Sequence, residues 1–249
     1  MKEEFYKHRD LIYKLSEESQ YPQTAKLLLR FFEKIESIST VVVGLEKRTD
    51  IYPCMILVRS QIEHLMVIYY IWMKNRIDKN DQTAIDYFEN YKASELLKRE
   101  NYKISIEKIN DKGFNETLKD RLIKHDESIK DLNDSILNQI HQNANQFKIR
   151  KITDYIVNDT LEGDRFALKD KMIKFLKGYN LISSFTHGGP TADSLFFNDI
   201  EKIKYSDKLE EYKSWSAGII YALIILIFWF FGEIDEKIEQ QLKSKTDKQ

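Results

Sequence analysis

Residues 53–73 read PCMILVRSQIEHLMVIYYIWM, and this stretch decides the fold. Pro53 suits the first turn of a helix, because the N–H that proline lacks has no helical partner there. From Met55 to Met73, apolar residues fall on nearly every side of a helix, which is typical of a helix buried all round. We therefore expect a central buried helix over about residues 54–75.

A second apolar stretch, residues 214–232, contains no charged residue. As a helix it would be about 28 Å long, close to the ~30 Å hydrocarbon core of a bilayer. Trp215 and Trp229 lie near its ends, as interfacial aromatic residues do in membrane spans, and Tyr221 lies between them. Two interpretations stay open: a tail-anchored membrane protein, or a core helix of about 207–240. We favour the core helix, because two apolar helices can bury each other, but a membrane anchor is not excluded.

The composition predicts an all-α protein. The 249 residues include only 8 Gly and 3 Pro, and hairpin turns such as Asn-Gly are missing. We expect a single domain over 1–249, an irregular multi-helix bundle around the two apolar helices. The most polar part, about residues 100–160, predicts a helical excursion that offers a surface to a protein partner.

Charge and cysteine content restrict the function. The net charge is −1, so no overall positive field attracts nucleic acid, although a small RNA site is compatible with it. The single cysteine, Cys54, excludes an intrachain disulfide, and no His-Glu-x-x-His pattern predicts a metal site. We expect no cofactor and no metal. The charged N-terminus has no signal-peptide pattern, which favours the cytoplasm.

The predicted central helix carries polar residues that are costly to bury. Arg59 and Glu63 are four positions apart, so they lie on the same helix face and can form an ion pair. His64 is five positions after Arg59, about 140° around the helix, so the two side chains should diverge. An unpaired buried charge costs several kcal/mol, so we expect partners for Arg59 and Glu63.

A second polar group lies on a later predicted helix. Asn180, Ser183 and His187 fall within about 60° on one helical stripe, and Gly188 begins the glycine pair that ends the helix. A histidine in the last turn is stabilised as a cation by the helix dipole. The stripe therefore predicts either a polar site or a simple helix cap.

The segment Tyr179-Asn-x-x-Ser183-x-x-x-His187-Gly188 resembles the C-terminal helix of the HEPN superfamily of small helical bundles. The Arg-Ser-x-x-Glu segment at 59–63, followed by an aromatic run, is similar to a bacterial family of unknown function. Members of that family pair such a helix with a later Ser-x-x-x-His segment.

Many HEPN proteins are metal-independent ribonucleases that act as dimeric toxins or phage-defence effectors. The resemblance implies that His187 is the general acid/base, Asn180 a positioning residue and an arginine the phosphate stabiliser. At the position of the family's motif arginine, however, this chain has Ile182.

We expect Arg59 to replace the missing arginine, in a cluster with Glu63, Ser183 and His187. The resemblance thus implies an RNA substrate and a homodimer. The alternatives are a non-catalytic interaction module with a structural polar cluster, and a membrane-anchored effector.

Overall fold

A computed structural model describes residues 2–47, 50–125, 134–158, 168–186 and 205–234. Within these ranges the regular secondary structure is entirely helical, which confirms the all-α prediction. The α-helices are α1 (Lys2–Lys7), α2 (Arg9–Glu17), α3 (Pro22–Val43), α4 (Ile51–Asp78), α5 (Gln82–Asp86), α6 (Lys92–Asn110), α7 (Leu118–His125), α8 (Asp134–Asn145), α9 (Ile149–Asn158), α10 (Leu168–Thr186) and α11 (Tyr205–Trp229).

The chain forms two compact units. The first contains Met1–Asp81 and Ile152–Gln249, and the second contains Gln82–Lys151. The second unit overlaps the polar excursion that we expected at about 100–160. The expectation of a single domain over 1–249 stays a prediction.

Helix α4 is the centre of the first unit, as its sequence predicts. It packs against α3, α10 and α11, and α3 also packs against α11. Residues 65–73 are almost all buried, including Leu65, Met66 and Trp72. The helix is longer than the predicted 54–75, because it begins at Ile51, two residues before the proline.

Helix α11 supplies the other apolar surface. It begins at Tyr205, close to the predicted start, and a π-helical turn over Phe230–Ile234 follows it. The last part of the predicted range, 235–240, lies outside the described residues. By length and composition, α4 and Ser206–Gly232 could each cross a membrane, but 61% and 67% of their most apolar windows are buried inside the protein. The core helices of soluble proteins can have the same length and apolar composition.

A contact between distant residues fixes the α3–α4 pair. Helix α3 begins at Pro22 without a side-chain cap from Tyr21. Instead, the carboxylate of Asp81, just beyond α4, accepts hydrogen bonds from the backbone N–H groups of Gln23 (2.8 Å) and Thr24 (3.0 Å). A carboxylate at this position neutralises the positive end of the α3 dipole.

Helix α10 meets α11 through a glycine. A Cβ placed on Gly178 would lie 2.0 Å from the ring of Trp215, far inside van der Waals contact. The absence of a side chain at Gly178 therefore lets the indole lie against the backbone of α10. The next residue of α10 is Tyr179, so this contact also fixes where that side chain points.

The second unit is built with more polar contacts. Between α5 and α6 a π-helical turn, Tyr87–Tyr91, stacks the rings of Tyr87 and Tyr91 at 5.3 Å, and Phe147 meets Tyr87 edge-on at 5.2 Å. Arg121 on α7 forms ion pairs with Glu116, at 2.7 Å, and Glu107. These contacts connect α6, α7 and the end of α8.

Candidate functional site

The polar stretch of α4 forms the ion pair that its spacing predicts. The Nε–H of Arg59 donates to Oε1 of Glu63 at 3.0 Å. The Arg59 side chain is 16% exposed and that of Glu63 is 34% exposed, so water reaches both. The pair is therefore partly desolvated rather than sealed in the core.

Tyr179 on α10 completes the group. Its hydroxyl donates to the same oxygen, Oε1 of Glu63, at 3.0 Å. The guanidinium carbon of Arg59 lies 5.5 Å from the centre of the Tyr179 ring, within the range of a cation–π contact. We refer to these three residues as the Arg59–Glu63–Tyr179 cluster, and it joins α4 to α10.

The phenol of Tyr179 stays protonated over the physiological range. Burial raises the pKa of Tyr179, and the Glu63 carboxylate raises it further, while the nearby positive charge of Arg59 lowers it. The net shift is upward, so the hydroxyl is a hydrogen-bond donor at neutral pH. This state suits a group that faces a carboxylate.

Tyr179 is a site residue that the sequence does not predict directly, although a signal for it exists. The buried residues of α10 recur every three or four positions, and Tyr179 falls between Leu176 and Ile182 in this series. A tyrosine in such a series faces the neighbouring helix. The buried helix that it faces carries Arg59 and Glu63.

The other predicted site residues are placed differently. Asn180 is exposed and Ser183 is half-buried. In the described part of the chain, no recorded hydrogen bond joins either residue to Arg59 or Glu63. His187 lies outside the described residues, so its meeting with the Arg59–Glu63–Tyr179 cluster stays a prediction.

His64 points away from this cluster. Its Nδ1 lies 2.5 Å from the backbone oxygen of Ser60, one turn earlier, and its ring meets Phe31 of α3 edge-on at 5.6 Å. Arg59 and His64 thus face α10 and α3 respectively. Their divergence is what five residues of helical rotation produce.

The cluster is suited to anions rather than to metal ions. A guanidinium has five N–H donors, and the recorded bond to Glu63 uses Nε–H alone. Within residues 2–47, 50–125, 134–158, 168–186 and 205–234, no three His, Cys, Asp or Glu side chains come together as metal ligands. Its chemistry is therefore that of a partly exposed arginine oriented by a carboxylate and a phenol.

One family matches the chain. The model of a family of unknown function, DUF5677, matches residues 24–202, which is more than half of the protein. Comparisons with curated proteins and with solved structures found no match. The matched range includes both the α4 segment with Arg59 and Glu63 and the α10 segment with Tyr179.

Proposed function

We propose that this protein is a HEPN-like ribonuclease. The chain belongs to DUF5677, a family of unknown function, and the proposal proceeds from that membership. The protein cleaves RNA without a metal ion, in the bacterial cytoplasm, as a dimeric toxin-type effector of stress or phage defence. One observation carries the proposal: a partly exposed arginine is held by Glu63 and Tyr179 beside the helix that leads to His187.

Arg59 is the proposed phosphate-binding residue. A planar guanidinium binds phosphate oxygens in pairs and keeps its charge at all physiological pH values. Charge develops on the phosphate oxygens during cleavage, and an oriented cation stabilises that charge. Arg59 thus supplies the positive charge that Ile182 does not.

His187 is the proposed acid/base, by the resemblance of its segment to the HEPN motif. It takes the proton of the ribose 2′-hydroxyl, whose oxygen attacks phosphorus. The bond from phosphorus to the 5′-oxygen breaks, and the leaving oxygen receives a proton from His187. The products are a 2′,3′-cyclic phosphate and a 5′-hydroxyl. Asn180 and Ser183, on the same stripe, are the proposed substrate-positioning residues.

The test is cleavage of labelled RNA in excess EDTA by the wild type, Arg59→Ala and His187→Ala. We expect each substitution to lower kcat/KM by about 100-fold or more. Lys74→Ala is the matched control, because Lys74 also pairs with a carboxylate four residues later on α4. Expression of the wild type should slow bacterial growth, and His187→Ala should not. A wild type that leaves RNA intact would reject the proposal.

A second function, a non-catalytic interaction module, is favoured by one feature. The charge of Arg59 is partly neutralised, because its Nε–H donates to the Glu63 carboxylate and its guanidinium lies over the ring of Tyr179. In that case the cluster holds α4 and α10 in register, and a protein partner binds the second unit. Wild-type protein that does not cleave RNA but captures one defined protein through residues 82–151 would support this function.

Helix α11 is a core helix in this proposed effector, rather than a membrane anchor. The support is burial, since residues such as Leu223, Ile224 and Ile227 are fully buried. Fractionation of cells without detergent tests it. Recovery in the membrane pellet after a high-salt wash would favour the anchored effector instead.

A further inference from the structure

Tyr179 contacts both charged residues of α4 from another helix. Its hydroxyl bonds to the carboxylate of Glu63 at 3.0 Å, and the guanidinium of Arg59 lies 5.5 Å from its ring centre. Arg59 and Glu63 alone would form an ion pair within one helix, and water screens such pairs strongly. The contact from α10 adds a fixed point outside α4.

The same oxygen of Glu63 accepts from both neighbours. Oε1 receives the Nε–H of Arg59 and the hydroxyl of Tyr179, each at 3.0 Å. The phenol therefore restrains the carboxylate, and the carboxylate restrains one edge of the guanidinium. The aromatic ring restrains the guanidinium as a second support.

We infer that Tyr179 is the positioning residue of this site, which holds Arg59 in the orientation that binds a substrate phosphate. The inference rests on the proposed function for its substrate, single-stranded RNA. A long, flexible arginine loses rotational freedom when it binds phosphate. A site that holds it in advance places its remaining N–H donors where charge develops during cleavage.

Helix α4 offers a matched comparison. The ammonium group of Lys74 pairs with the carboxylate of Asp78, four residues later, at 3.1 Å. It also lies 5.8 Å from the centre of the Tyr155 ring on α9. This group has the same composition, with the cation and the carboxylate on α4 and the tyrosine on a neighbouring helix. Tyr155→Phe is therefore the control for Tyr179→Phe.

The experiment has two readouts. NMR measures the exchange rate of the Arg59 Nε–H with water, and RNA cleavage in EDTA gives kcat and KM. Tyr179→Phe keeps the ring but loses the hydroxyl, so we expect exchange about fivefold faster and kcat about tenfold lower, with KM changed less than about twofold. Tyr179→Leu also loses the ring and should lower kcat further, by about 100-fold. Tyr155→Phe should change none of these values.

The outcomes separate this inference from the proposed function. If the wild type does not cleave RNA, the proposed function fails, and the exchange of Arg59 Nε–H decides the role of Tyr179 alone. Unchanged exchange in Tyr179→Phe would overturn the inference, as would an active wild type whose kcat is unaffected by the substitution. If Tyr179→Leu does not fold, the decision rests on Tyr179→Phe.

Discussion

The two units have the same secondary structure but different interiors. The first encloses an apolar centre of α3, α4 and α11. In the second, charged and amide side chains take part throughout: Glu100 is buried beside Lys103 at 2.9 Å, and Gln146 donates to Asp86 at 3.1 Å. Among the described residues, buried apolar side chains far outnumber buried polar ones in the first unit, whereas the second unit buries few apolar side chains.

This difference shows where residue type is informative about function. Arg59 and Glu63 interrupt an apolar helix, so they need a specific explanation. The polar residues of the second unit are consistent with structural roles, since each can satisfy its neighbour. We therefore place the candidate site in the first unit, and the following predictions test the contrast.

The largest effect should come from Gly178→Ala. The added Cβ would lie 2.0 Å from Trp215, so α10 and α11 must separate or the indole must leave. We expect the free energy of unfolding, measured in urea, to fall by about 3 kcal/mol. In a Trp215→Leu background, Gly178→Ala should be nearly harmless, because the indole that its Cβ would meet is absent. An equal loss in both backgrounds would show that the contact does not fix α10.

The second-largest effect should come from alkaline pH, which should lower the free energy of unfolding of the first unit. Burial raises the pKa of Tyr212 to about 12 and that of Cys54 to about 11. The unfolded chain releases these protons at the ordinary values, near 10 and 9, so the stabilisation is complete below pH 9. It is lost as pH rises to 12, by about 2 kcal/mol for Tyr212. Unfolding of Tyr212→Phe should depend less on pH above 10, and an identical pH dependence would contradict this assignment.

A buried hydroxyl pair should have a smaller effect. Ser216 on α11 donates to Ser39 on α3 at 3.0 Å, and both are buried. Replacing either serine by alanine should cost about 1 kcal/mol of unfolding free energy, because the remaining hydroxyl loses a partner. The double substitution should cost less than the sum of the two. Additive losses in this double-mutant cycle would show that the pair is not coupled.

Arg121 lies in the second unit, so Arg121→Met should have the smallest effect on the first unit. This substitution leaves Glu116 and Glu107 without the arginine that pairs with both. We expect faster amide hydrogen exchange in α6 and α7, with unchanged exchange in α3 and α4. Equal acceleration in the two units would mean that their interiors are not independent.

The sequence predicts the apolar helices better than it predicts the site. The apolar character of α4 and α11 on nearly every side is a local property, so their place in the core is readable, and the Arg59–Glu63 pair follows from one helical turn. The role of Asp81 as a cap for α3 depends on a contact between residues far apart in the chain. Tyr179 was missed for the same reason. Its approach to α4 depends on how Gly178 packs on Trp215.

The double variant Arg59→Met/Glu63→Leu tests the central claim most directly. It replaces the charged pair with apolar residues of similar size, so stability should remain within about 1 kcal/mol of the wild type. RNA cleavage in EDTA should nevertheless fall by about 100-fold or more, because the proposed phosphate stabiliser, Arg59, is gone. A folded double variant that cleaves RNA as fast as the wild type would contradict the account.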